Sequence, residues 1–129
     1  MTIRVLTSAL AFAFLAGCAT EAGQKVQDLF RPASKGQPAL TTGLKQYEDG
    51  DYADAAKSLQ AAIGQGLTDG ERVNAHKHLA FINCASSRER QCRDEFRKAL
   101  AVDPTLELAP AEAGHPIWGP IFRSLKAGR

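Results

Sequence analysis

From about Ala39 to the end of the chain, small and apolar residues recur at spacings of three and four positions. This spacing places them on one face of an α-helix. Two glycines, Gly64 and Gly66, follow the clearest such segment and indicate its end. The residues that define the segment are Tyr52, Ala55, Ala56, Leu59, Ala62 and Ile63. Since no stretch alternates apolar and polar residues with the period of two that strands show, the pattern predicts an all-α fold.

Local signals indicate where further helices begin and end. Thr68 followed by Glu71 has the spacing of a capping box, and Ser86 followed by Glu89 has the same spacing. Each pair predicts the start of a helix. The second of these helices should end at Asp103-Pro104, because the residue before a proline avoids helical backbone angles.

The helical part of the chain also repeats at an interval of 37 residues. Small residues coincide with small ones and large with large, except where Tyr47 falls on Cys84. The coinciding pairs are Gly43 with Ala80, Ala55 with Cys92, Leu59 with Phe96 and Ala62 with Ala99. Small residues at these positions would let the two helices of a hairpin approach closely.

The first copy, Gly50-Asp51-Tyr52 followed by Ala55, Leu59 and Ala62, resembles a tetratricopeptide repeat (TPR), a helix–turn–helix unit. A second copy with the same resemblance consists of Leu79, Ala80, Cys92, Phe96, Ala99 and Pro104. The first copy lacks the closing proline of the family, so a pair of generic amphipathic hairpins is the alternative interpretation.

The resemblance implies an all-α domain over residues 39–129, with two TPR-like helical hairpins. Two repeats are fewer than the three that usually form a stable array, so their end faces need a cover. Pro116 begins a C-terminal segment with apolar residues at helical spacing, and we expect a capping helix there. Pro120 either kinks this helix or marks its restart. Trp118, the only tryptophan, belongs either to this cap or to an exposed ligand anchor.

The N-terminus has the form of a secretory signal. Arg4 precedes an apolar run over residues 5–15, and a bilayer span would need about 20 apolar residues. Leu15-Ala16-Gly17-Cys18 resembles the lipobox of bacterial lipoproteins. An ordinary signal peptide, or a buried helix with a chance cysteine, is the alternative.

The lipobox resemblance implies that residues 1–17 are removed and that Cys18 is acylated, for example with palmitate. Ala19 after the cysteine, in place of aspartate, implies an outer-membrane anchor that faces the periplasm. Residues 18–38 contain several glycines and prolines among charged residues, and we expect them to form a flexible tether.

The other two cysteines, Cys84 and Cys92, form an even pair in an oxidising compartment. Such a pair is a disulfide candidate. The alternative is two buried free thiols, because cysteine is often a small core residue.

A concave face is the first of two candidate surfaces for a protein partner. On the TPR pattern the first helix of each hairpin lines this face, which suits an extended peptide or a helix. The residues placed there are Leu40, Leu44, Tyr47, Lys77 and Phe81. Leu44 and Phe81 could equally be core residues.

A basic stretch is the second candidate surface. Arg90, Arg93 and Arg97 lie at helical spacing, flanked by Arg88 and Lys98. They form either a solvated helix face or a docking patch for an acidic partner.

Catalytic and cofactor motifs are absent from the sequence. His76 and His78 are two positions apart, so on a helix they point to different sides and cannot chelate one ion. No Cys-x-x-Cys or His-Glu-x-x-His spacing occurs. The formal net charge of +2 falls by one with Arg4 and gives no reason to expect nucleic acid as a partner. We therefore expect a non-enzyme with no cofactor, no metal and no small-molecule substrate.

These features together predict an adaptor or scaffold that holds a protein partner in the cell envelope. The chain resembles repeat lipoproteins that occur beside secretion systems, type VI among them, and in outer-membrane assembly machinery, and this resemblance does not choose between these assemblies. The alternative is a passive structural lipoprotein that binds cell-wall glycan or itself. A glycan binder should expose Trp118 and the tyrosines.

Overall fold

A computed structural model describes residues 32–128, and these fold into helices without a β-strand. The helices are α1 (Gln37–Glu48), α2 (Tyr52–Gln65), α3 (Asp69–Ala85), α4 (Glu89–Val102), α5 (Pro110–Ala113) and α6 (Trp118–Ala127). The predicted all-α fold is confirmed. Within the described part of the chain, no helix is long and apolar enough to cross a membrane.

Two helical hairpins and a C-terminal helix make up the fold, as expected for TPR-like units with a cap. Helix α1 packs against α2, and α3 packs against α4. The hairpins meet mainly through α2 and α3, while α6 packs on α4 and the short α5 packs on α6.

The first hairpin is closed by a contact between Gly43 in α1 and Leu59 in α2. A Cβ atom at Gly43 would lie 2.9 Å from Cγ of Leu59 and 3.1 Å from its backbone nitrogen. Leu59 is fully buried. The small residue at position 43 therefore permits the close approach that the repeat pattern predicts.

Helix α3 is buried on several sides because it belongs to two hydrophobic clusters. One cluster joins it to α1 and α2 through Leu79 and Ile82. The other joins it to α4 and α6 through Phe81, Phe96 and Phe122. Because its buried residues belong to both clusters, α3 is the central helix of the described fold.

One of the two predicted capping boxes forms and the other does not. At the start of α3 the amide of Thr68 donates to Oε2 of Glu71 at 2.8 Å, and the amide of Glu71 donates to Oγ1 of Thr68 at 3.4 Å. The predicted box at Ser86 and Glu89 is wrong, since Ser86 ends α3 and its amide donates to the carbonyl of Ile82 at 3.0 Å. Helix α4 then begins at Glu89 itself, without a side-chain cap.

A disulfide joins Cys84 near the end of α3 to Cys92 in the first turn of α4. Their Cα atoms are 5.1 Å apart, and Cys92 is fully buried. A second link between these helices is the 2.6 Å hydrogen bond between Nδ1 of the buried His76 and Oε2 of Glu95. The second hairpin is therefore fixed by a covalent and a polar contact in addition to its apolar packing.

The C-terminal cap is a helix that begins at Trp118, two residues after Pro116. Pro120 lies in its first turn, where a backbone N–H has no intrahelical acceptor, so the proline marks a restart and not a kink. The ring of Phe122 packs against Phe96 with their centroids 5.2 Å apart. The cap thus covers the exposed side of the second hairpin.

The N-terminal boundary of the domain lies earlier than the sequence indicates. The amide of Gly36 donates to the carbonyl of Gly66 at 2.9 Å, and Pro38 lies in the first turn of α1. Pro38 falls within the predicted tether but belongs to α1, because proline fits the first turn of a helix well. Cys18, the predicted lipidation site, lies outside the described residues.

Candidate partner-binding site

The structure divides the predicted concave residues into buried and accessible ones. Leu40 and Phe81 are only 5% and 2% exposed, so both are core residues and their assignment to a groove surface is corrected. Leu40 packs with the cluster around α1 to α3, and Phe81 is covered by the C-terminal part of the chain. Leu44, Tyr47 and Lys77 are half-buried and can each contribute to a surface.

A continuous series of aromatic rings runs across α1, α2, α3 and the C-terminal region, and we call it the aromatic strip. Its first ring, Tyr52, is 42% exposed. The Tyr47 ring lies 5.5 Å from that of Tyr52 and 5.0 Å from that of His78. His78 then contacts Phe81, whose ring stacks on Trp118 at 4.7 Å. The members of the strip are Tyr52, Tyr47, His78, Phe81, Trp118 and His115.

The strip is uncharged at neutral pH in its central part. Burial raises the pKa of Tyr47 above its ordinary value, so the phenol stays protonated. Burial lowers the pKa of His78, even though Nδ1 of this ring donates a 2.8 Å hydrogen bond to the carbonyl of Asn74. Neutral aromatic rings suit contacts with the apolar side chains of a partner.

The two halves of the strip differ in how much of their surface is free. Leu44, Tyr47, Tyr52 and His78 are exposed or half-buried, and we call them the open half. At the other end Trp118 lies between two rings. One face stacks on Phe81, and the other stacks on His115 with a centroid distance of 3.3 Å and an interplanar angle of 2°.

Glu112 covers the edge of this second half. Its carboxylate accepts a 2.7 Å hydrogen bond from Nζ of Lys77, with the two side chains 18% (Lys77) and 24% (Glu112) exposed. Its carbonyl accepts a 2.9 Å hydrogen bond from Nε1 of Trp118. Burial by itself would raise the pKa of Glu112, but the hydrogen bonds from Lys77 and from the Ala109 amide outweigh it and the pKa is lowered. The carboxylate is therefore ionised at neutral pH.

The predicted basic patch is largely neutralised by carboxylates of its own helix. Arg93 pairs with Glu89 at 2.9 Å, and Arg97 pairs with Asp94 at 2.8 Å. Arg90 is exposed. Ion pairs one helical turn apart are typical of a solvated helix face, which fits this surface better than a docking patch does.

Sequence reasoning missed His78 and the contribution of the C-terminal region. His78 lies three residues before Phe81, so helical spacing alone places both on one face of α3, and this signal was present. Glu112 and Trp118 carry no such signal. The partners Lys77 and Glu112 are 35 residues apart in sequence, and no local pattern reports that contact.

The two helical hairpins have the arrangement of a TPR-like helical domain. The chain is similar to Photosystem I assembly protein Ycf3 from Synechococcus sp. strain CC9605, a TPR protein, with 31% identity over 62 residues. The matched segment covers 48% of this chain and 36% of that protein. No protein-family model and no solved structure matches the chain.

Proposed function

We propose that this chain is a lipid-anchored adaptor of the cell envelope, and that it binds a segment of a protein partner along the open half of its concave face. The observation that carries the proposal is the row of accessible apolar and aromatic side chains on TPR-like hairpins. Tyr52, at 42% exposure, is one of two large hydrophobic side chains exposed in the described part of the chain. The similarity to a TPR assembly protein supports the same class of function.

The open half has the chemistry of a peptide-binding surface. Leu44 and Tyr47 lie on α1, Tyr52 begins α2, and His78 comes from the facing α3. Aromatic side chains bury a large area at a small cost in conformational entropy, which makes them effective contact residues. An extended or helical segment of the partner would lie against these rings.

The location of the adaptor is supported by the sequence of the N-terminus. The lipobox resemblance at Cys18 supports an acylated N-terminus, and Ala19 supports the outer membrane with the domain facing the periplasm. Several acyl chains hold a protein on a membrane firmly, whereas one chain binds only marginally. An adaptor in this position would serve an envelope assembly such as a type VI secretion system.

The alternative, a passive glycan-binding lipoprotein, should expose Trp118 and the tyrosines, and of these Tyr52 is exposed but Trp118 is not free. A glycan binder would present a free aromatic face. The indole of Trp118 is stacked on both faces by Phe81 and His115, so it offers none.

The test is crosslinking in live cells with an affinity-tagged chain, followed by mass spectrometry of the captured proteins. We expect a small set of envelope subunits with the wild-type chain and their loss with Cys18→Ser, which removes the lipid. Leu44→Glu should also abolish capture, because it places a charge on the open half. Gln60→Glu, at an exposed position of α2, is the matched control and should capture the same subunits. Capture that is unchanged by Leu44→Glu would refute the assignment of the open half.

A further inference from the structure

Residues 109–117, which we call the strap, connect the second hairpin to the cap by a path longer than a simple turn. Most of the strap is exposed, including Pro110, Gly114 and Pro116. The strap contains α5, and this one-turn helix packs on α6. A segment with so little buried surface opens at a lower free energy than the helices around it.

The strap is held differently on its two sides. Toward α6, the carbonyl of Ala113 accepts a 3.0 Å hydrogen bond from Arg123, and its oxygen lies so close to Gly119 that a Cβ there would clash with it. On the concave side, the carboxylate of Glu112 accepts the hydrogen bond from Lys77 of α3, and its carbonyl accepts the hydrogen bond from Nε1 of Trp118. If both hydrogen bonds of Glu112 break, the strap can leave the concave side while the contacts of Ala113 with Arg123 and Gly119 keep it attached to α6.

The contacts of the strap on the concave side are those that a bound peptide would make. Glu112 places a carboxylate on the ammonium group of Lys77, and three residues later His115 places a flat ring on Trp118. These two positions continue the aromatic strip beyond its open half. Removal of the strap would expose one face of the indole of Trp118 and leave Lys77 without its carboxylate partner.

We propose that the strap is a resident occupant of the concave face and that a partner segment with a carboxylate displaces it. This inference rests on the proposed adaptor function. The partner segment would place an acidic side chain on Lys77, and about three residues further on it would place an aromatic or imidazole ring on Trp118. The docking surface then extends from Tyr52 to Trp118, and the strap regulates access to its second half.

The first measurement uses Trp118 as the reporter, because it is the only tryptophan of the chain. Quenching of its fluorescence by acrylamide is compared between the purified full-length protein and the variant Glu112→Gln. We expect stronger quenching in the variant with an unchanged helical circular dichroism spectrum. The matched control is Glu107→Gln, which breaks the ion pair with Lys126 next to the strap but away from the concave face, and should leave quenching unchanged. Equal quenching in all three proteins would overturn the proposal.

The second measurement adds the occupant as a separate molecule. A synthetic peptide of residues 109–117 contains no tryptophan, so it can be titrated against the variant Glu112→Gln with His115→Ala while Trp118 emission is recorded. We expect saturable binding of this peptide. The same peptide with glutamine in place of its glutamate should bind at least about tenfold more weakly, since a charge-assisted hydrogen bond is lost. No binding, or equal binding of both peptides, would overturn the proposal.

These measurements need no cellular partner, so they separate the strap from the adaptor function. If the strap stays closed while Leu44→Glu still abolishes capture in cells, the adaptor proposal stands on the open half alone. If the strap opens but no subunit is captured, the adaptor proposal fails independently.

Discussion

Replacement of Gly43 by alanine tests the contact that closes the first hairpin. In an exposed helix this change stabilises by about 0.5–1 kcal/mol, because glycine loses more backbone entropy than alanine. At Gly43 the new Cβ would lie 2.9 Å from Cγ of Leu59 and 3.1 Å from its backbone nitrogen. The side chain of Leu59 is fully buried and the nitrogen moves only with α2, so relief requires the helices to separate. Overpacking of this kind costs about 1–3 kcal/mol, and we expect a net loss of about 1 kcal/mol.

The assay is urea unfolding followed by circular dichroism, with Gly64→Ala as the matched control in the same hairpin. A Cβ at Gly64 would meet no atom within 4 Å, so this variant should be more stable than the wild type by about 0.5 kcal/mol. Leu59→Ala should by itself lower the free energy of unfolding by about 2–5 kcal/mol. The double variant with Gly43→Ala should lose less than the sum of the two single losses, since the truncated side chain leaves room for the new methyl group. Equal stabilisation by Gly43→Ala and Gly64→Ala, or a double variant whose loss equals the sum of the losses of Gly43→Ala and Leu59→Ala, would refute the close-contact argument.

Three further predictions concern the second hairpin and the site. Replacement of both Cys84 and Cys92 by alanine should lower the free energy of unfolding by about 2.6 kcal/mol, because the unfolded chain is no longer constrained by a closed loop. Urea unfolding under oxidising conditions measures this loss, and an unchanged free energy would contradict the closed loop. Thr68→Ala should cost about 1 kcal/mol of unfolding free energy whereas Ser86→Ala should cost less than about 0.5, and equal losses would contradict the assignment of the caps. Burial lowers the pKa of His78, so the unfolded chain binds a proton at this residue more readily than the folded chain does. The free energy of unfolding should therefore fall as the pH drops below about 6.5. Between about pH 7.5 and 5.5, the variant His78→Gln should lose less of this free energy than the wild type.

The helices and their pairing could be predicted because their signals are local. Apolar residues at helical spacing, the box at Thr68 and the coincidence of Gly43 with Ala80 all lie within one or two helices of the contacts that they predict. The box at Ser86 failed for a local reason as well. Ser86 and Glu89 have the same spacing as Thr68 and Glu71, but Ser86 still ends α3. Ser87, with a φ of +59°, then turns the chain before α4 begins.

The concave face could be predicted only in part, because its second half is built by residues distant in sequence. The repeat pattern placed Phe81 on an open surface, which would be correct if α3 had no neighbour there. Trp118 covers that ring, and Glu112 reaches Lys77 across 35 positions. Neither contact follows from periodicity, since the strap has no apolar pattern of its own and its path is fixed by α6.

The strong contacts that stabilise the domain are concentrated in the second hairpin, so the two hairpins should differ in rigidity. The disulfide, the hydrogen bond between His76 and Glu95, and the packing of Phe122 on Phe96 all involve the second hairpin. The first hairpin relies on helix packing and on the 2.7 Å hydrogen bond from Ser58 to Gln46. Regions with fewer strong contacts open at lower free energy, so α1 and α2 should exchange their amide hydrogens faster than α3 and α4. Leu44, Tyr47 and Tyr52 lie on this looser hairpin, and the ring of Tyr47 contacts His78 of the braced α3. A partner segment would therefore meet one rigid wall that sets its register and one adaptable wall that can close on it.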